Sequence, residues 1–155
     1  MWRLLRPDAV DALDDPRVLS AMPRYARVAK GTLPARFLIS RSISADWDPQ
    51  GSLEELWQVH NRSLSEAESL MRRIDSGGMD SRELNREPRS LLHLKARIGE
   101  ALMESCVLCE RRCGKNRLNG ELGLCRVGRE TKIHSCFDHM GEEPEVVPSF
   151  TVCGS

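Results

Sequence analysis

All six cysteines of this 155-residue chain lie at or beyond position 106, and the first 105 residues hold none. Thiols that merely fill a core are not segregated in this way. The start, Met1-Trp2-Arg3-Leu4-Leu5-Arg6-Pro7-Asp8, has no apolar stretch of the roughly 7–15 residues that a secretory signal uses. The apolar runs also fall far short of the roughly 18–20 residues of a spanning helix. The expectation is a soluble cytosolic protein with no membrane partner. In that setting disulfides are the lesser explanation of the cysteines, and metal or redox chemistry the leading one.

Charge narrows the reading further. With 23 basic and 23 acidic residues the formal net charge is +0. A general nucleic-acid binder normally carries a basic excess or stripe, so nucleic acid is not an expected partner. Hydrophobic residues make up 40% and aromatic residues 5% of the chain, enough for a modest core.

The segment 1–50 reads as irregular. Pro7, Pro16, Pro23, Pro34 and Pro49 interrupt any long helix. Short helices fit at 8–13 and 16–21, with Pro16 suited to a first helical turn. The apolar run Arg36-Phe37-Leu38-Ile39-Ser40 reads as a brief strand or a buried tether. The segment 51–104 reads as an amphipathic helical hairpin. Ser52-Leu53-Glu54-Glu55 forms a capping box, and Leu53, Leu56, Trp57, Leu64, Ala67, Met71 and Ile74 follow at helical spacing over 52–74. His60 lies on that stripe and reads as a packed residue. Gly77-Gly78 ends the element, and 80–89 is a connection. A second helix over 90–104 presents Leu91, Leu94, Ile98, Ala101 and Leu102 on one face.

The segment 105–130 is a four-cysteine loop. Cys106, Cys109, Cys113 and Cys125 are spaced C-x2-C-x3-C-x11-C. Two thiolates separated by two residues reach one centre from a single turn, the third needs one more bend, and the fourth closes the site from across a loop. Gly114, Gly120 and Gly123 give that loop its conformational freedom. Arg111, Arg112, Lys115 and Arg117 offset thiolate charge. Zinc suits a closed Cys₄ site, and four cysteines also hold an iron–sulfur cluster. Three cysteines within eight residues look more cluster-like than the paired knuckles of zinc ribbons, and both metals stay open. A thiol oxidoreductase centred on Cys106-Val107-Leu108-Cys109 lacks the βαβ surroundings such a motif needs.

Four ligands leave no open coordination position. A cluster that binds S-adenosylmethionine uses three cysteines, usually spaced C-x3-C-x2-C. Counting on from Cys109, the third would fall on Asn116, so the array is not that site. In the last segment, 131–155, alternation over Thr131–Cys136 suggests a strand beside the metal loop. His134, Cys136 and His139 offer three ligand types there, with structural packing the favoured role. Cys153 reads as an ordinary thiol.

The stretch from Ser105 to Cys125, with Arg117-Leu118-Asn119-Gly120-Glu121-Leu122-Gly123-Leu124-Cys125, resembles the N-terminal region of radical S-adenosylmethionine proteins related to pyruvate formate-lyase activating enzyme. His134-Ser135-Cys136-Phe137-Asp138-His139-Met140-Gly141-Glu142-Glu143-Pro144 and Val147-Pro148-Ser149-Phe150-Thr151-Val152 are similar to what precedes that family's catalytic barrel. The likeness covers about 90–152. It implies a parent activity of reductive S-adenosylmethionine cleavage. The family's C-x3-C-x2-C motif is absent here, the chain reading Val152-Cys153-Gly154-Ser155. The expected fold is therefore mainly α, with an irregular cysteine-rich metal-binding loop and a few short strands, truncated before a partial β/α barrel. The expected function is an accessory iron–sulfur ([4Fe–4S]) or zinc region, not catalytic in isolation. S-adenosylmethionine would bind only in a full-length parent, and the implied partner is a barrel-containing chain or a missing C-terminal part. The alternative is a free-standing zinc-ribbon-like interaction module with a structural Cys₄ site.

Overall fold

The computed structural model describes residues 2–130, 133–147 and 149–154. Along the chain they form α1 (Trp2–Leu5), α2 (Pro7–Ala12), α3 (Pro16–Ala21), α4 (Pro23–Ala29), α5 (Arg36–Ser42), α6 (Leu53–Asp75), α7 (Leu91–Ala101), β1 (Ile133–His139) and β2 (Ser149–Gly154), with 3₁₀ turns at Ser81–Glu83 and Pro144–Val146. The protein is mainly helical with two short strands. No helix among the described residues is long and apolar enough to cross a membrane. The chain divides into two compact units, Met1–Leu33 with Thr131–Ser155, and Pro34–Glu130.

In the first unit proline sets the helix starts. Pro7, Pro16 and Pro23 each occupy the first turn of a helix, where a missing N–H costs nothing and the ring fixes φ near its helical value. Asp15 caps α3 by accepting the Arg17 N–H at 2.8 Å. Ala9, Leu13, Val18, Ala26 and Leu33 are buried, as is Val147 from the far end of the chain. Helix α2 packs on the 3₁₀ turn Pro144–Val146. Arg6 strengthens that junction. Its guanidinium donates to the Glu142 carbonyl at 3.1 Å, to the Met140 carbonyl, and to Asp8 at 2.7 Å. The strands pair antiparallel, Cys136 opposite Val152 and His139 opposite Ser149, with a bulge between Ile133 and Ser135. The strand expected over 131–136 thus begins in the described residues at Ile133 and runs on to His139; residues 131 and 132 lie outside them.

The second unit contains the helical hairpin and the cysteine loop. Ser52 caps α6: its hydroxyl accepts the Glu55 N–H at 3.3 Å, and the Glu55 carboxylate accepts the Ser52 N–H at 2.7 Å. Leu56, Ala67 and Ile74 are buried along α6, and Leu91, Leu94 and Ile98 along α7. Leu53 and Trp57, which share the helical stripe, remain 37% and 40% exposed, although Leu56 between them is buried. His60 is half-buried with its ring edge-on to Trp57, centroids 5.0 Å apart.

Residues 36–40 require a correction. They are not a strand but the first five residues of α5. The helix buries Ile39 and Ser40 and leaves Phe37 exposed, and it packs against both α6 and α7. It supplies cover that a two-helix hairpin lacks. Its exit is tied to the entry of α7: Leu91 N–H donates to the Ile43 carbonyl at 2.9 Å and Ala45 N–H to the Arg89 carbonyl at 3.0 Å, an isolated β-bridge between Ser44 and Ser90. Helix α7 then ends at Ala101, and one further turn delivers Cys106.

Candidate metal centre: a thiol cluster around Arg117

Cys106 is buried, Cys113 half-buried, and Cys109 and Cys125 exposed, all with free thiols. The loop closes on itself through the backbone. Cys106 N–H donates to the Lys115 carbonyl and Gly114 N–H to the Cys106 carbonyl, both at 3.1 Å. This pair turns 106–115 into a tight knuckle. Gly114, at φ 64°, and Gly120, at φ 83°, take left-handed conformations that cost a residue with a Cβ. Arg112, at φ 39°, and Arg126, at φ 56°, adopt positive φ without being glycine.

Gly123 works differently from the expectation. It is absent from the positive-φ positions, and its value is the space of a missing side chain. A Cβ there would lie 3.1 Å from Cys113 Sγ, 3.2 Å from Arg117 Nη2 and 3.5 Å from Cys125 Sγ. Two sulfurs and a guanidinium therefore converge on one small volume.

Arg117 is the centre of that volume. It is 6% exposed. Its Nε donates to Cys106 Sγ at 3.0 Å, its Nη2 to Cys125 Sγ at 3.1 Å and its Nη1 to the Val127 carbonyl at 2.7 Å. The Lys115 N–H holds the Cys113 thiol below its usual range, with Arg117 and Cys106 adding to the effect against burial. The Val127 N–H, and then Arg117, do the same for Cys125. Of the four basic residues expected to offset thiolate charge, Arg117 does so by direct contact, whereas Lys115 pairs with Glu121 at 3.6 Å. The sequence marked Arg117 only as one cation among several; its burial depends on loop closure, which no local pattern signals.

The structure thus brings Cys106, Cys113 and Cys125 together. Cys109 stays exposed, its carbonyl accepting the Arg112 N–H at 3.0 Å. Among the described residues no group of three or more His, Cys, Asp or Glu side chains is arranged to hold an ion. The chemistry of the donor set nonetheless fits a soft metal: the Cys113 and Cys125 thiols are lowered in pKa by backbone N–H groups and by the fixed positive charge of Arg117, which also contacts Cys106. Of the later ligand types, Cys136 is exposed in β1. His139 stacks on Phe137, centroids 4.4 Å apart, with Nδ1 3.7 Å from Glu142 Oε1. Both belong to the first unit. The side chains of His134 and Cys153 lie outside the described residues.

An uncharacterized protein of Methanocaldococcus jannaschii is 35% identical to this chain over 133 residues, which is 84% of the chain and 37% of that protein. The chain spans little more than a third of that relative's length. No family model matches the chain, and no solved structure gives a significant match.

Proposed function

We propose that Cys106, Cys109, Cys113 and Cys125 bind one metal centre, an iron–sulfur cluster ([4Fe–4S]) before zinc, in an accessory region of a radical S-adenosylmethionine protein related to pyruvate formate-lyase activating enzyme. The observation that carries the reading is the convergence of Cys106, Cys113 and Cys125 on the buried Arg117 and on the side-chain-free face of Gly123. Cys109, one exposed turn from Cys106, completes the set by moving inward. A centre with four thiolates fastens a fold or passes electrons, and it offers no open position for substrate. This chain's part is then to gather the sulfurs, keep them deprotonated and shield the centre. Reductive S-adenosylmethionine cleavage would belong to a barrel elsewhere in such a protein or in a partner chain. The length of the archaeal relative beyond the matched region agrees with that division of labour.

The second reading, an interaction module held by a structural zinc, draws on Val107, Leu108, Leu122 and Leu124, which are 46–69% exposed beside the cysteines. Anaerobic purification followed by metal and sulfide analysis separates the two. Iron with labile sulfide supports the cluster, and one zinc per chain in a colourless sample supports the module. Cys125→Ser should lose most of the metal in either case. Undiminished metal in that variant would refute the ligand assignment.

A further inference from the structure

We infer that Arg117 is the positioning residue of the cysteine loop: it sets Cys106 and Cys125 in place before metal enters and remains the N–H donor to their sulfurs afterwards. The inference rests on the four-cysteine centre proposed above and deepens it.

Three features of Arg117 point to this role. First, the residue is anchored at both ends. Its backbone N–H donates to the Met103 carbonyl at 2.9 Å, just past α7, while its Nη1 donates to the Val127 carbonyl at 2.7 Å, just past the last cysteine. One residue thereby spans the entry and the exit of the array. Second, the planar guanidinium sends separate N–H groups to two sulfurs eleven and eight residues away in sequence, at 3.0 and 3.1 Å. A rigid fork fixes the separation and direction of both acceptors, which a single flexible ammonium cannot do. Third, a cation this deeply buried needs a compensating partner. Among the described residues its side-chain acceptors are the two sulfurs and one carbonyl, and no carboxylate pairs with it. A site evolved only to fill space would place an apolar residue there.

When metal binds, the thiol protons leave to solvent and the sulfurs carry negative charge. The two N–H donors then lie against coordinated thiolates. Hydrogen bonds to such sulfurs lower the energy of their lone pairs, so they raise the energy of sulfur-to-metal charge transfer. Outer partners of metal ligands typically contribute about 10–100-fold in affinity.

The test uses the reduced, metal-free full chain, titrated with Co²⁺ in the absence of oxygen and followed by the thiolate-to-cobalt absorption. Arg117→Met should bind Co²⁺ at least about tenfold more weakly, with the band shifted to lower energy. Arg117→Lys restores the charge and should recover part of the affinity, but not the band position. Wild-type affinity and band position in Arg117→Met would overturn the inference. If Arg117→Met does not fold, as judged by loss of amide protection in α6, Arg117→Lys decides by the same two readouts. If the wild-type chain forms no thiolate–cobalt band, the single-metal form of the four-cysteine reading fails, and the cluster form is judged by the iron and sulfide analysis above. Arg117 is then judged on amide exchange in the metal-free protein. Exchange at Cys106 and Gly114 accelerated about tenfold in the variant, with α6 unchanged, supports positioning, and unaltered exchange there overturns it.

Discussion

A single methyl group added at position 123 would meet Cys113 Sγ at 3.1 Å and Arg117 Nη2 at 3.2 Å. Neither atom is the free end of a loose chain, since Arg117 is pinned on three sides. Gly123→Ala should therefore lower the bound metal per chain severalfold. Gly31→Ala, at φ 76° with nothing within 4 Å, should cost only backbone strain of roughly 1 kcal/mol and leave the metal content unchanged. Metal analysis beside thermal unfolding distinguishes the two. A second residue-scale expectation concerns pH. Arg17, through its side chain and then its N–H, holds the Asp15 carboxyl at about 2 against an ordinary 3.8. A depressed carboxyl favours the folded state fully above its ordinary value, and that contribution fades as pH falls through about 2. An NMR titration should place the Asp15 midpoint near 2 and return it toward 3.8 in Arg17→Ala.

Among the elements, α6 depends most on its own sequence. Its N-terminus is held by the reciprocal Ser52–Glu55 bonds, and Ser52→Ala should cost about 1 kcal/mol in chemical denaturation. That cap and the buried positions Leu56, Ala67 and Ile74 are legible in the sequence because a 3.6-residue period and a capping box are both local signals. The proline-led helices α2 and α3 are legible for the same reason. Residues 36–40 were not, because a short apolar run has no period to separate helix from strand; contact with α6 and α7 decides it. Nor was α4, whose Pro23 reads equally well as a breaker. At the candidate site the spacing singles out four cysteines, of which the structure brings Cys106, Cys113 and Cys125 together and leaves Cys109 exposed. Arg117 and the spatial role of Gly123 could not be read in the sequence, since both arise only when residues distant in sequence close on one another.

At the scale of the whole molecule, the second unit combines a three-helix core with a loop closed by backbone hydrogen bonds and by the contacts of Arg117 with two thiols. Such a loop gains stability from whatever binds its folded form, by about 2.7 kcal/mol when free metal stands at a hundred times Kd. A chelator should therefore accelerate amide exchange at Cys106, Gly114 and Arg117, whose N–H groups hold the loop closed. It should leave the β1–β2 ladder unaffected. Uniform acceleration across both units would show that the loop is not separately metal-dependent.

The two units differ in how the chain builds them. Pro34–Glu130 is continuous, whereas Met1–Leu33 must wait for Thr131–Ser155, and the Arg6 clamp joins those two parts through the Met140 and Glu142 carbonyls. Translation is vectorial, so the ribosome emits every sulfur of the array before it emits the strands that finish the other unit. The centre proposed here would thus be open to loading on a nascent polypeptide whose opening helices still lack the strands they belong with.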